Sequence, residues 1–162
     1  MSEIGDKIQA KCDAFADRVV KLNDYLLEQA VSKKYDGGSQ KADYQTSALK
    51  RKPSNVRRQP SRVPVYLQSV SNLCNQLLRA GTSIGANNAE ATNAVSRQDF
   101  RSKSYIALKE ARESLYWIDL IHRNGYIDDI QFKSIYADCE ELVKILVSRC
   151  KKLDQELSKG KE

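Results

Sequence analysis

The stretch Leu77–Gly125 constrains the fold most. Phe100, Ser104, Ala107, Ala111, Ser114, Ile118 and Ile121 recur at spacings of 4, 3, 4, 3, 4 and 3. That rhythm is the seam of a helix packed along a neighbour at a shallow angle. Just upstream, Gly81, Gly85 and Ala89 recur every fourth residue and lay a track of small residues along one helix face. Glycine inside a helix costs about 1 kcal/mol relative to alanine. Two of them one turn apart imply that another element must approach closely there. A GxxxG track is best known between membrane helices, but no run in this chain approaches the roughly 20 apolar residues that span a bilayer. Here it implies tight packing in a water-soluble bundle.

The same reading extends in both directions. Ile8, Cys12, Phe15, Val19, Leu22 and Leu26 predict a first helix over about Asp6–Ser32. Val70, Leu73, Cys74, Leu77, Ile84 and Ala91 mark the buried stripe of a second, over about Val65–Ala94. Ser96-Arg-Gln-Asp99 fits a capping box that opens the third helix, and Asn124-Gly125 is a good stop for it near Arg123. Asp128, with Gln131 three residues on, caps a fourth helix running to about Leu157. Its stripe is Phe132, Ile135, Cys139, Leu142, Leu146, Cys150, Leu153 and Leu157. Residues 158–162 read as a charged, frayed tail. Four long helices in 162 residues predict a single all-α domain, an antiparallel up-down-up-down four-helix bundle.

One segment breaks the pattern. Residues 33–64 contain Gly37-Gly38, Pro53, Pro60 and Pro64 and few large apolar side chains. They cannot bury enough surface to order themselves alone, so they read as a long flexible insertion between helices 1 and 2. Ala42–Lys52 has the composition of a short basic helix. The formal net charge is +6, and its distribution says more than its size. Lys33, Lys34, Lys41, Lys50, Arg51, Lys52, Arg57, Arg58 and Arg62 face only Asp36 and Asp43 within the segment. The remaining 18 basic and 19 acidic residues nearly cancel. These nine cations are the candidate nucleic-acid contacts, each able to neutralise a phosphate and release a counterion. Tyr35, Tyr44 and Tyr66 offer rings for stacking on unpaired bases. The plainer alternative is a solvated insertion with no partner, and docking of a protein partner is a third.

A family resemblance carries further expectations. Leu77–Ala91 (LLRAGTSIGANNAEA), then Asp99-Phe100, Ile106–Trp117 (IALKEARESLYW) and Gly125-Tyr126 resemble the bacterial "four helix bundle proteins", encoded in intervening sequences of 23S ribosomal RNA genes. Those proteins are distantly similar to the accessory variability determinant of diversity-generating retroelements. The resemblance implies a bundle that assembles into a homo-oligomeric ring, typically a pentamer. From the accessory relative it implies a basic surface that binds nucleic acid and a reverse transcriptase. Asn88 stands where the family usually has a larger, mostly apolar side chain, and the connection between helices 1 and 2 is longer and more basic than the family's. Arg79, Asn87, Glu90, Lys109, Arg112 and Glu113 lie in the matching blocks, as does Glu110. They are candidates for a polar network between helices or subunits, with exposed i, i+4 pairing such as Lys109 with Glu113 as the plainer reading.

Catalysis finds no constellation. Ser83 beside Gly85 follows no strand, so it is not a nucleophile elbow. Gly81–Gly85 lacks the Lys-Ser/Thr of a phosphate loop. Asp128-Asp129 and Glu140-Glu141 are sequence neighbours and splay around a helix. Glu-x-x-His is missing, and His122 suits the C-terminus of a helix better than general-base work. Tyr116 and Trp117 read as core or interface anchors. Cys12, Cys74, Cys139 and Cys150 are scattered, with no CxxC, and read as reduced core thiols. The N-terminal residues lack the apolar stretch of a secretion signal. The expectation is a cytoplasmic, non-catalytic protein with no cofactor or metal, binding RNA or another nucleic acid in a ribonucleoprotein. The alternative is a protein-interaction module, such as an accessory subunit of a reverse transcriptase, with the basic loop dispensable.

Overall fold

The computed structural model describes residues 3–36 and 65–159. Four helices account for nearly all of them: α1 Glu3–Asp36, α2 Val65–Thr92, α3 Arg97–Arg123 and α4 Asp129–Lys159. No strand occurs among the described residues.

The helix ends follow from local chemistry. Ser96 is extended (φ −153°, ψ 163°) and its Oγ accepts the Asp99 N–H at 3.0 Å. The Asp99 carboxylate reaches back to the Val95 N–H at 3.2 Å, so the predicted box closes one residue further upstream than expected. At the far end of α3, Gly125 takes φ +70°. Its N–H bonds the His122 carbonyl at 2.8 Å, and the Tyr126 N–H bonds the Ile121 carbonyl at 3.2 Å. This is a Schellman closure, and it needs the left-handed conformation that glycine adopts without penalty. Asp128 and Gln131 then cap α4 reciprocally, at 2.8 Å and 3.0 Å.

Helix α1 is longer than the seam predicts. It begins at Glu3, where Glu3 and Asp6 complement the positive helix start. It continues through Lys33 and Lys34 to Asp36. Those two lysines, expected in the insertion, are therefore helical: no glycine or proline lies between Gly5, in the first turns, and Gly37-Gly38 to stop the helix earlier. Helix α2 stops two residues early, at Thr92. Asn93 and Ala94 turn instead, their N–H groups bonding Glu90 and Ala91 carbonyls, and Thr92 Oγ1 and Asn93 Nδ2 both donate to the Ala89 carbonyl.

Packing is sequential, α1 on α2, α2 on α3 and α3 on α4, with a sparser contact of α1 on α4 that closes the ring. Partner numbers run in opposite directions across neighbours. Val19 faces Gly81 whereas Cys12 faces Gly85. Lys11 pairs with Glu141 whereas Arg18 bonds Ser134 and Asp138. Arg97 pairs with Glu156 whereas Cys139 bonds the Ala111 carbonyl. Neighbouring helices are thus antiparallel. The predicted seams form the core: Phe15, Val19, Leu77, Ile84, Ile118, Ile121, Leu142 and Leu146 are its largest fully enclosed apolar side chains. The small-residue track lies under α1. A Cβ on Gly81 would sit 3.0 Å from Val19 Cγ2, and one on Gly85 would sit 3.6 Å from Cys12 Cβ.

Candidate functional site

The insertion joins the C-terminal end of α1 to the N-terminal end of α2, and these two helix ends lie at the same end of the antiparallel bundle. Lys33 and Lys34 lie on the last turn of α1. Lys41, Lys50, Arg51, Lys52, Arg57, Arg58 and Arg62 lie outside the described residues, as do Tyr44 and Ala42–Lys52. The described residues include nineteen basic and nineteen acidic side chains. Many of these charges answer one another across helices. Arg101 and Tyr105 both bond Asp154, at 2.6 Å each, and this holds the Asp154 carboxyl below its ordinary value, the Tyr105 hydrogen bond contributing most.

The six residues proposed for an assembly network do not form one connected set within a single chain. Glu90, on α2, pairs with Lys103 of α3. Asn87 Nδ2 donates to the Ser83 carbonyl at 2.8 Å. Glu113 accepts from Trp117 Nε1 at 3.1 Å and does not pair with Lys109. Arg79, Lys109 and Arg112 are exposed and make no ion pair among the described residues. Lys109 and Arg112 share the outer surface of α3 with exposed Ile106 and Tyr116, while Trp117 packs half-buried against the core.

The polar centre of the bundle lies elsewhere. Asn88 is fully buried. Its Nδ2 donates to Gln9 Oε1 at 2.7 Å, and its Oδ1 accepts from Arg149 Nη1 at 2.6 Å. Gln9 in turn donates to Asp13 at 2.7 Å and to the Gly85 carbonyl at 3.3 Å. Arg149 lies 5.6 Å from the centre of the Phe100 ring. Burial lowers its pKa from the ordinary value, and no carboxylate pairs with it among the described residues. Within the protein such a cation is held by a neutral dipole and a ring face.

The sequence carries a partial signal of this centre, hidden among the apolar stripes. Arg149 continues the rhythm Ile135, Cys139, Leu142, Leu146, and Asn88 continues Val70, Cys74, Leu77, Gly81, Ile84. The spacing places each of these polar residues on the inner stripe of its own helix; that they meet is set by the register between α2 and α4.

The remaining chemistry is quiet. Burial pushes the thiols of Cys12 and Cys74 up to about 11 and that of Cys139 up to about 12, and all four cysteines are free and buried. His122 stacks on Phe132 (centroids 4.1 Å apart, planes 10° apart) and lies 2.8 Å from Asp129. It therefore ties the end of α3 to the start of α4. Among the described residues no three His, Cys, Asp or Glu side chains converge as a metal site would require. No described helix is long and apolar enough to cross a membrane.

Comparison with known proteins agrees with this architecture. No curated protein matches the chain. A crystal structure of a protein of unknown function from the S23 ribosomal protein family of Bacteroides thetaiotaomicron VPI-5482 is similar, at 33% identity and a TM-score of 0.65. The match covers 91% of this chain and 97% of that one. The profile of the 23S rRNA-intervening sequence proteins matches residues 65–148, which take in α2, α3 and two thirds of α4. Small-residue track, helix caps and fold thus point one way, and the chain belongs to the 23S rRNA-intervening sequence protein family.

Proposed function

We propose that this protein is a non-catalytic, cytoplasmic helical bundle that binds RNA through the basic segment 33–62 and serves as a scaffold of a ribonucleoprotein. The observation that carries the reading is the placement of charge. Residues 37–64 hold seven basic side chains and one acidic one, whereas the described helices are electrically balanced. Phosphate binding draws its affinity from such a local excess. The family's name ties its members to intervening sequences of 23S rRNA, which makes a fragment of that RNA the first probe.

The test is a filter-binding titration with structured and single-stranded RNA across a range of salt concentrations. The intact chain is expected to bind with strong salt dependence. A chain in which a short Gly-Ser linker replaces residues 37–64 is expected to bind neither RNA. Unchanged binding by the shortened chain would refute the reading.

A second reading is favoured by the outer surface of α3, where exposed Ile106 and Tyr116 flank Lys109 and Arg112. Such a face suits subunit contacts in a homo-oligomer, a pentamer by resemblance, or an accessory contact to a reverse transcriptase. Light scattering that returns the mass of one chain would remove the ring. Co-purification of a protein partner that survives both high salt and loss of residues 37–64 would favour docking over RNA binding.

A further inference from the structure

At the end of the bundle opposite the insertion, α1 and α4 leave between them a groove of about 1010 Å³. The first turns of α1, the α2–α3 connection and the C-terminal half of α4 line it. Ile8, Phe100, Ile145 and Leu153 supply apolar walls, and Ile4 and Val95 stand at the rim with 72% and 94% of their surfaces exposed. Ligand sites of this size are mostly apolar with a few polar groups that fix orientation.

The unpaired charges lining the groove have one sign. Arg149 and Lys152 open onto it without an acidic partner among the described residues, Lys144 is paired with Glu140 at 2.8 Å, and the single acidic lining residue, Glu156, is bound to Arg97 at 2.8 Å. Arg149 is the telling member. It is drawn partly into the protein, yet what it meets is the Asn88 amide and the Phe100 ring. A partly buried guanidinium without a counter-charge carries a desolvation cost. A carboxylate or phosphate oxygen arriving from the groove would relieve that cost through charge-assisted hydrogen bonds. The Nη1 bond to Asn88 fixes the head group's orientation.

We infer that this groove binds a small amphipathic anion, its acidic head against Arg149 and its apolar body along Ile8, Phe100, Ile145 and Leu153. The groove shares no lining residue with the basic segment 33–62.

Isothermal titration of the full chain with decanoate, decyl phosphate and methyl decanoate, all below their aggregation limits, tests the inference. Decanoate and decyl phosphate are expected to bind, each about tenfold or more tighter than the uncharged ester. Acetate and inorganic phosphate, which lack the apolar body, are expected not to bind. Arg149→Met should erase the preference for the anions over the ester. Lys152→Glu and Val95→Glu alter exposed lining residues that the fold does not need, and each should weaken the anions severalfold if Arg149→Met fails to fold. Equal affinity for acid and ester, no binding of any probe, or indifference to the two glutamate substitutions would overturn the inference. So would dissociation of an oligomer into single chains by Val95→Glu, which would make the groove a contact between copies.

Discussion

Alanine at Gly81 and alanine at Gly85 are the same chemical change one helical turn apart, and the structure assigns them opposite signs. In each case replacement gains helix propensity, about 1 kcal/mol in the interior of a helix. At Gly85 the new methyl would meet Asp13 Oδ1 at 3.4 Å, with Cys12 Cβ and Gln9 Nε2 both at 3.6 Å. These are ordinary contacts, so the propensity gain survives. At Gly81 it would meet Val19 Cγ2 at 3.0 Å, Cγ1 at 3.2 Å and Cβ at 3.4 Å. Val19 is fully buried, and a valine in a helix holds one χ1 rotamer. Rotation would only exchange one methyl for the other, so relief requires α1 and α2 to part. Overpacking of this kind costs about 1–3 kcal/mol. Gly81→Ala should therefore be destabilising by about 1 kcal/mol net, and Gly85→Ala stabilising by up to about 1 kcal/mol. With a urea m-value of about 2 kcal/mol/M, the two midpoints should separate by about 1 M. Unfolding followed by far-UV circular dichroism, at one protein concentration so that any assembly contributes equally, measures this. In a Val19→Ala background the penalty at Gly81 should vanish. A Gly81→Ala protein as stable as Gly85→Ala would refute the close approach of α1 at that turn.

Three further outcomes follow from the packing. Ser104 is fully buried and its hydroxyl has no hydrogen-bond partner among the described residues, so Ser104→Ala should leave stability unchanged or raise it by up to about 1 kcal/mol, read from the urea midpoint. Asn88→Ala strips partners from Arg149 and Gln9 at once and should cost about 2–3 kcal/mol by thermal or chemical denaturation. The thiols of Cys12, Cys74 and Cys139 are raised by burial from the ordinary 9.0 to about 11, 11 and 12. The unfolded chain therefore loses these protons first as pH rises. Their stabilising share is intact below about pH 9 and is lost between pH 9 and 12, at up to about 1.4 kcal/mol per pH unit for each thiol. Urea midpoints measured from pH 7 to 10.5 check this, and native protein at pH 8 should be inert to a thiol reagent until it is unfolded.

Most of the fold was legible because apolar spacing and capping chemistry are local. The 4-3 rhythm of α1 and α3, the Ser96 and Asp128 caps and the Gly125 stop all appear where side-chain identity requires them. The track Gly81–Gly85 was legible for the same reason, since a costly glycine needs a neighbour to justify it. The ends of α1 were less so: Lys33 and Lys34 differ little between a helix and a loop in sequence, and only Gly37-Gly38 sets a boundary. The pairing of Asn88 with Arg149 depends on the register between α2 and α4, which helical spacing within one segment does not encode. The groove depends on how sparsely α1 meets α4, a property of the assembled bundle with no local signature. Arg79, Lys109 and Arg112 stood out as cations in patterned blocks, but each points outward from a single chain.

The salt dependence of RNA affinity tests the central claim most directly. Lys41, Lys50, Arg51, Lys52, Arg57, Arg58 and Arg62 are exchanged together for glutamine, leaving all four helices untouched. Against single-stranded RNA, the slope of log affinity on log salt should become shallower by about 0.7 for each phosphate contact removed, and affinity at low salt should collapse. Identical slopes and affinities for the two proteins would contradict the account, because the charge that distinguishes this chain would then play no part in binding.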